Sequence, residues 1–494
     1  MRGPLDQPLM VILLGVGGLA MGVPASHAVT VGAFPVARAF FYCGLMILAF
    51  CLLLAVALNG YRPRNVARSH LVQLAGAYLL VPLALCLPLL RLFPELGLVQ
   101  AWLEMVSCLT TTGASLLSDM PPTVQLWRAL VGWMGGFLTL LAALSILAPM
   151  NLGGFEVVFG QSAGRGLGVV QGRQRVRIPD PSLRMKRYSG QILLVYAGLT
   201  LMLWLGLVLA GDPALAGLIR AMSTLSTSGI QLADVPANRL VEGLVVVFLV
   251  FALSRQAMPG ARHRLSGPLL YQETEFRLAL SILLVLGLAL LTYQATGADN
   301  LSGLMMAAWS LIFTLTSFLT TTGFVSQDWA PAALWSGLPV PGLILAALAL
   351  AGGGVATTAG GVKLIRLSMI YSHAVQELRH QIYPHSVGSS GQMPRPVRQQ
   401  AAMVSWMFAM LFLLSVAATM LLLTLFGLGF EPALVLAIAA LTSCGPLADV
   451  GAVLPISWAG HGDAANMVLG LAMVLGRLET LALIALLDPE NWQE

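Results

Sequence analysis

The amino-acid sequence predicts an all-α integral membrane protein: four pseudosymmetric helix, pore-loop, helix repeats around one central pore, preceded by two N-terminal transmembrane helices. Three observations lead there. Of the 494 residues, 57% are hydrophobic and only 10% charged, whereas a soluble globular chain carries roughly a quarter charged residues. Apolar runs close to the roughly 20 residues needed to cross a bilayer recur along the chain, as at 39–58, 72–90 and 192–210, with a shorter one at 9–23. A cluster of small polar residues ending in glycine recurs four times, each time after a short apolar stretch.

The first element is the N-terminal transmembrane pair, 1–60. Residues 1–28 have a basic start, an apolar stretch and Ala25-Ser26-His27-Ala28, which resembles a small-residue cleavage site. A second span comes after a short polar link, so the expectation is a retained first helix. Cys43, Cys51, Cys86, Cys108 and Cys444 lie in or beside apolar segments without CxxC spacing or neighbouring histidines, and read as core residues.

Basic residues set the orientation of the chain in the membrane. Arg62, Arg64 and Arg68 fill one loop, and Arg165, Arg173, Arg175, Arg177, Arg184, Lys186 and Arg187 the next. Arg255, Arg262 and Arg264 come after, then Lys363, Arg366, Arg379, Arg395 and Arg398. Lysine and arginine concentrate in cytoplasmic loops, so these face the cytoplasm. The net charge of +5 is accounted for in this way, and no nucleic-acid partner is implied. The connections near 94–100, 211–216, 299–303 and 430–432 are poor in lysine and arginine and face outside. Between consecutive basic loops the chain therefore goes out and comes back, yet holds more sequence than that needs, so a segment re-enters. The units are 70–155, 188–258, 274–373 with a broken second helix, and 400–488.

The re-entrant clusters read Thr110-Thr111-Thr112-Gly113, Ser226-Thr227-Ser228-Gly229, Thr320-Thr321-Thr322-Gly323 and Thr442-Ser443-Cys444-Gly445. Non-helical backbone at membrane depth is tolerated only where protein or a water-filled path satisfies it, and a cation can be such a partner. Rings of backbone carbonyls can replace a potassium ion's hydration shell. Small hydroxyl residues let backbones approach, glycine turns carbonyls inward, and the negative ends of the short helices favour a cation. One such cluster reads equally well as a helix-end cap or a small-residue packing contact. Four copies in one structural slot favour the carbonyl ring.

Further candidates flank these loops. Asp119, Asp234, Asp328 and Asp449 come within a few residues of the glycines and would ring an outer vestibule, raising local cation concentration; solvated loop or cap aspartates are the plainer reading. Arg477 lies deep in the last apolar run, where an ionisable residue is a functional candidate, the alternative being a structural pairing with Glu479 or a carbonyl. The run 334–371 is too long for one span, and its glycine-rich middle, Gly352, Gly353, Gly354, Thr357, Thr358, Gly360 and Gly361 included, should break the helix. Gly352, Ala356 and Gly360 at four-residue spacing could instead form a close-packing face. The seven histidines make no HExxH pair and no triad, so no enzyme is read here. A sodium- or proton-coupled secondary transporter of a small solute is the rival, but such folds commonly use inverted repeats, whereas these units all run in one direction.

The stretches 102–116, 127–138, 351–366 and 475–480 resemble the TrkH/TrkG and KtrB group of the superfamily of potassium transporters, and the resemblance runs from about residue 72 to the C-terminus. It implies potassium uptake across the bacterial cytoplasmic membrane, potassium as the transported ion with no organic cofactor, and filter glycines at Gly113, Gly229, Gly323 and Gly445. Plant relatives with serine at the first position are associated with sodium permeation, so Gly113 points to potassium. Ser228 and the sequence Ser443-Cys444 depart from a strict Thr-Thr-Gly pattern, which implies modest selectivity. The resemblance also implies that Arg477 sits at the pore below the filter and that the glycine-rich break is an intramembrane gate. A homodimeric core and a separate cytosolic nucleotide-binding subunit of TrkA/KtrA type are implied as partners.

Overall fold

The computed structural model describes residues 8–58, 66–117, 119–147, 181–232, 235–254, 273–295, 301–329, 342–383, 395–452 and 454–478. Every element among them is helical, and eight helical segments are long and apolar enough to cross a membrane. The chain is a multi-pass membrane protein.

Helices α1 (Leu9–Ala20) and α2 (Gly22–Thr30) meet at the buried Met21 and together make one span. It packs on α3 (Phe34–Ala57), which starts with proline in its first turn, where the missing N–H costs nothing. The two cross where glycines leave no side chain: a Cβ on Gly44 would stand 2.9 Å from the Gly18 carbonyl oxygen. Close approach through small residues is a main source of helix association in lipid. Helix α4 (Val66–Leu85) contains Pro82 and gives way at Cys86 to α5 (Leu87–Leu92), with Pro88 in its first turn; proline removes the i→i−4 bond that would carry the helix on.

Then come α6 (Leu98–Leu109) and α7 (Pro122–Ala142), followed by α8 (Pro181–Leu209), α9 (Ala214–Ser226) and α10 (Arg239–Leu253). Next are α11 (Thr274–Ala295), α12 (Leu301–Leu319), α13 (Gly342–Ala351) and α14 (Leu364–Ile382). The last are α15 (Arg395–Leu425), α16 (Phe430–Thr442), α17 (Leu447–Val450) and α18 (Asp463–Leu478). Helices α6, α9 and α16 have 12, 13 and 13 residues. At 1.5 Å per residue they reach only about 20 Å, short of the roughly 30 Å hydrocarbon layer. Instead they are sunk among the others: every residue from Ala101 to Leu109 is buried. Helix α12 is longer than the other three. It runs for 19, because nothing between Leu301 and Leu319 except Gly303 opposes helix.

Outer and inner helices separate by burial. The best apolar window of α7 is 72% buried, that of α11 only 11%. A soluble protein could not leave Leu280, Leu284, Val285 and Leu288 exposed in one run; in lipid such a face has no cost.

Candidate functional site

The helices α6, α9, α12 and α16 end in the same way. Thr111, Thr227, Thr321 and Ser443 are left-handed, with φ of 58°, 53°, 56° and 55°. Their amides donate three residues back, to Cys108, Thr224, Phe318 and Ala440, and the next amides along donate five back, to Ser107, Ser223, Ser317 and Ala439. This double pattern is the Schellman helix terminus. The helix-cap reading of the clusters is therefore correct as far as it goes. What sets them apart is that a cap normally places glycine at the left-handed residue, whereas here threonine or serine takes it at a cost of about 1–3 kcal/mol each. Glycine comes two positions later, and Gly113, Gly229 and Gly323 are left-handed as well, at 75°, 68° and 82°. Gly445 is absent from the left-handed set.

The loops touch in a closed cycle. A Cβ on Gly113 would overlap the Ser228 carbonyl oxygen, and one on Gly229 would overlap that of Thr322. One on Gly323 would meet the Pro446 ring at 2.9 Å, and one on Gly445 the Thr112 carbonyl oxygen at 2.6 Å. The Gly445 amide also donates to that carbonyl at 2.7 Å. Hydroxyls before the first three glycines turn back into the protein: Thr112 pairs with Thr110 at 2.9 Å, Ser228 with Ser226 at 3.0 Å and Thr322 with Thr320 at 3.0 Å. The hydroxyls of Thr111 and Ser443 are buried with no hydrogen-bond partner, which in a folded interior calls for a missing partner.

The helix breaks between α13 and α14, over residues 352–363, as the glycines predict. Because that segment is not helical, Gly352, Ala356 and Gly360 do not share a helix face, and the close-packing alternative falls. The segment lies against the helix ends that lead into the loops. The Gly360 amide donates to the left-handed Thr321 hydroxyl at 2.8 Å, Thr358 Oγ1 donates to the Leu225 carbonyl at 3.1 Å, and a Cβ on Gly360 would overlap the Thr442 carbonyl. Gly353, Gly354 and Thr357 are buried on the other flank, where the Gly354 amide donates to Ala252 O at 3.0 Å and the Val355 amide to Glu275 Oε1 at 3.1 Å. Arg477, on α18, donates from Nε to Thr139 Oγ1 at 2.9 Å and from a terminal nitrogen to the Thr358 carbonyl at 2.7 Å. Of the two pairings open in sequence, the carbonyl is realised; Glu479 lies outside the described residues. Lys363 donates to the Ala359 carbonyl, and Arg366 stacks over the Phe408 ring with its guanidinium carbon 3.6 Å from the centroid.

The acidic residues are less uniform. Asp119 and Asp449 are exposed, Asp328 forms an ion pair with Arg239 at 3.2 Å, and Asp234 lies outside the described residues.

Three buried charged groups went unremarked in sequence, and each fastens the chain just beyond a glycine. Glu104 on α6 and Arg128 on α7 form an ion pair at 2.5 Å; the arginine donates to the Ala114 carbonyl and the glutamate accepts from the Leu116 amide, both at 2.8 Å. Arg220 on α9 pairs with Asp212 and donates to the Val235 carbonyl at 2.9 Å. Glu242 on α10 accepts from Trp309 Nε1 at 2.7 Å, the Ser326 hydroxyl at 3.1 Å and the Gln327 amide at 3.1 Å. In the fourth loop Trp458 Nε1 donates to the Gly445 carbonyl at 3.3 Å. The signal was present, since a charge inside an apolar run is a functional candidate, and Glu104, Arg220 and Glu242 all stand in such runs.

Residues 278–493 match the TrkH family, described as cation transport protein. The chain is 27% identical over 430 residues to the Trk system potassium uptake protein TrkI of Halomonas elongata, covering 83% of this chain and 80% of the relative. The chain is similar to Trk potassium uptake proteins. The Trk system potassium uptake protein TrkH of Escherichia coli K12 is 25% identical over 411 residues, 81% of either chain. In fold, the chain superposes on the crystal structure of the potassium transporter TrkH from Vibrio parahaemolyticus with a TM-score of 0.80, at 22% identity over 98% of each chain.

Proposed function

We propose that this chain takes up potassium across the bacterial cytoplasmic membrane, through a pore enclosed by four pseudosymmetric repeats and filtered by the loops at Gly113, Gly229, Gly323 and Gly445. The observation that carries the proposal is the repeated backbone: a left-handed threonine or serine ends each short helix, and the glycine after it packs on the next loop around a closed cycle. In the first three loops the sign of φ alternates over three residues, which swings successive carbonyls to one side. With the Thr112, Ser228 and Thr322 hydroxyls bonded back into the protein, carbonyls are what remain to replace a hydration shell. The unpartnered hydroxyls of Thr111 and Ser443 would take an ion at the inner end. The fourth loop is the odd one, with Cys444 before its glycine and the Gly445 amide on the Thr112 carbonyl, so an entering ion competes with one hydrogen bond.

The segment 352–363 acts as the gate in this reading, since it lies under three loops and is bonded to Arg477. The curated relatives carry the words potassium uptake in their names. A homodimer and a cytosolic nucleotide-binding regulator of TrkA/KtrA type complete the proposal. Flux of potassium and sodium into vesicles reconstituted with the full chain tests it: potassium should be preferred, and equal flux of both ions, or none, would sink the filter.

A further inference from the structure

Away from the path, α11 and α14 pack side by side and leave between them a groove of about 650 Å³, within the roughly 300–1,000 Å³ of small-molecule sites. Its lining comes from two helical stripes. Thr274, Arg277 and Ser281 run along one face of α11, and Ser368, Tyr371 and Ser372 along one face of α14, at the three- and four-residue spacing that aligns side chains on a helix. Further along α11 the wall becomes Leu284 and Val285, 62% and 63% exposed.

We infer that this groove binds a phospholipid of the cytoplasmic leaflet with an anionic headgroup. Arg277 is exposed and has no side-chain partner among the described residues. The carboxylates nearest in sequence are committed elsewhere: Glu273 accepts from the Ser254 hydroxyl at 2.8 Å, and Glu275 from the Val355 amide at 3.1 Å. The guanidinium, a fork that matches phosphate oxygens, therefore stands uncompensated in a groove that also holds the Thr274 and Tyr371 hydroxyls, while the hydroxyls of Ser281, Ser368 and Ser372 donate to the carbonyls of Leu278, Ile365 and Met369 within their own helices. A lone arginine at a helix end would ordinarily snorkel to the interface. Here Tyr371 of a second helix lines the same groove as Arg277, and a polar groove shared by two helices distinguishes a site from a snorkelling side chain. A free phosphate would leave the leucine wall unused, whereas acyl chains continue along it. The end of the groove at Thr274 adjoins the segment with Arg255, Arg262 and Arg264, which places it on the cytoplasmic side, where anionic lipids concentrate.

The position also reaches the helix break. Glu275, between Thr274 and Arg277, holds the Val355 amide, and α14 begins directly after the broken segment. A lipid bridging α11 and α14 therefore ties together the two elements that hold that segment in place. The site stands whether or not the segment gates potassium, since its occupancy is measured without transport.

Lipid titration of the purified full chain with native mass spectrometry as the readout tests the inference, with phosphatidylglycerol and phosphatidylcholine as probes. Arg277→Ala should weaken phosphatidylglycerol retention about fivefold, the worth of one basic residue at an anionic surface. Phosphatidylcholine should change less, and Arg379→Ala, an exposed arginine on α14 outside the groove, should leave both unchanged. Retention unaltered by Arg277→Ala, or equally lowered by Arg379→Ala, overturns the site. Crosslinking between copies through Ser281→Cys, above the background of the parent chain, overturns it too, because a second copy would then fill the groove.

Discussion

The buried pair Glu104–Arg128 offers the sharpest test of how the first loop is held. The two side chains are 0% and 3% exposed and 2.5 Å apart, and between them they take the Ala114 carbonyl and the Leu116 amide. Removing one partner, as in Glu104→Leu, leaves a buried guanidinium uncompensated, a loss of about 3–5 kcal/mol. Replacing both, Glu104→Leu with Arg128→Met, removes the orphan charge, and such apolar substitutions of buried pairs are often neutral in stability. The backbone groups beyond Gly113 then lose their partners, at about 1–3 kcal/mol for each one that stays buried. Stability and selectivity should therefore part company. In detergent melts the single variant should be far less stable than the parent, and the double variant should recover most of the difference. In vesicles the double variant should still discriminate poorly between potassium and sodium, because the strand next to Gly113 is free to shift. A double variant that regains both stability and discrimination would refute the anchoring argument.

Three other outcomes are expected from the same geometry. Gly113→Ser should lower the preference for potassium over sodium, since any Cβ there overlaps the Ser228 carbonyl; unchanged selectivity in normally assembled protein would count against the filter. Deleting Val355 and Ala356 from the broken segment should raise flux per folded protein at constant selectivity, whereas reduced flux with intact assembly would remove the gate. Neutralising the exposed Asp119 and Asp449 should slow uptake mainly at low ionic strength, where the Debye length exceeds about 10 Å, while Asp328→Asn should do less because Arg239 already offsets that charge. Equal loss at every salt concentration would point away from the vestibule.

The sequence announced the loops because they repeat and the helix break because its glycines crowd together. It was silent on how each loop is built. A β-branched residue in the left-handed region runs against local preference, so nothing in Thr111 or Thr321 alone suggests that conformation, and only the packing of four helix ends imposes it. Chain distance hid other contacts: Arg477 meets Thr139 and Thr358, and Arg239 meets Asp328, across long sequence separations. Asp328 looked equivalent to Asp119 because the aspartates were judged by their distance from a glycine, which carries no information on partners. The charged anchors were legible. Glu104, Arg220 and Glu242 satisfy the rule that singled out Arg477, but the helices that hold the first two looked apolar enough to pass as plain packing.

If the broken segment is the proposed gate, its contacts bound how firmly it closes the path. The amides of Gly354, Val355 and Gly360 and the hydroxyl and carbonyl of Thr358 are bonded to neighbouring elements. Each such bond contributes about 0.5–1.5 kcal/mol net, those to a charged partner more. Withdrawal exposes some of these groups to water in the cavity, which restores part of the loss, so closure is favoured by only a few kcal/mol. Moving a two-state equilibrium from 1:99 to 99:1 takes about 5.5 kcal/mol of differential binding, which one protein partner can supply. The pull would have a direct route, since α14 leaves the segment at Leu364 and carries the exposed Arg379 near its far end. Because the Gly360 amide is bonded to the Thr321 hydroxyl, the same displacement frees a hydroxyl at the inner mouth of the loops. Opening and the creation of an ion ligand would then be one event, so Thr321→Val should weaken closure and ion occupancy together. Leak flux that rises while potassium affinity stays at its original value would separate the two and refute the coupling.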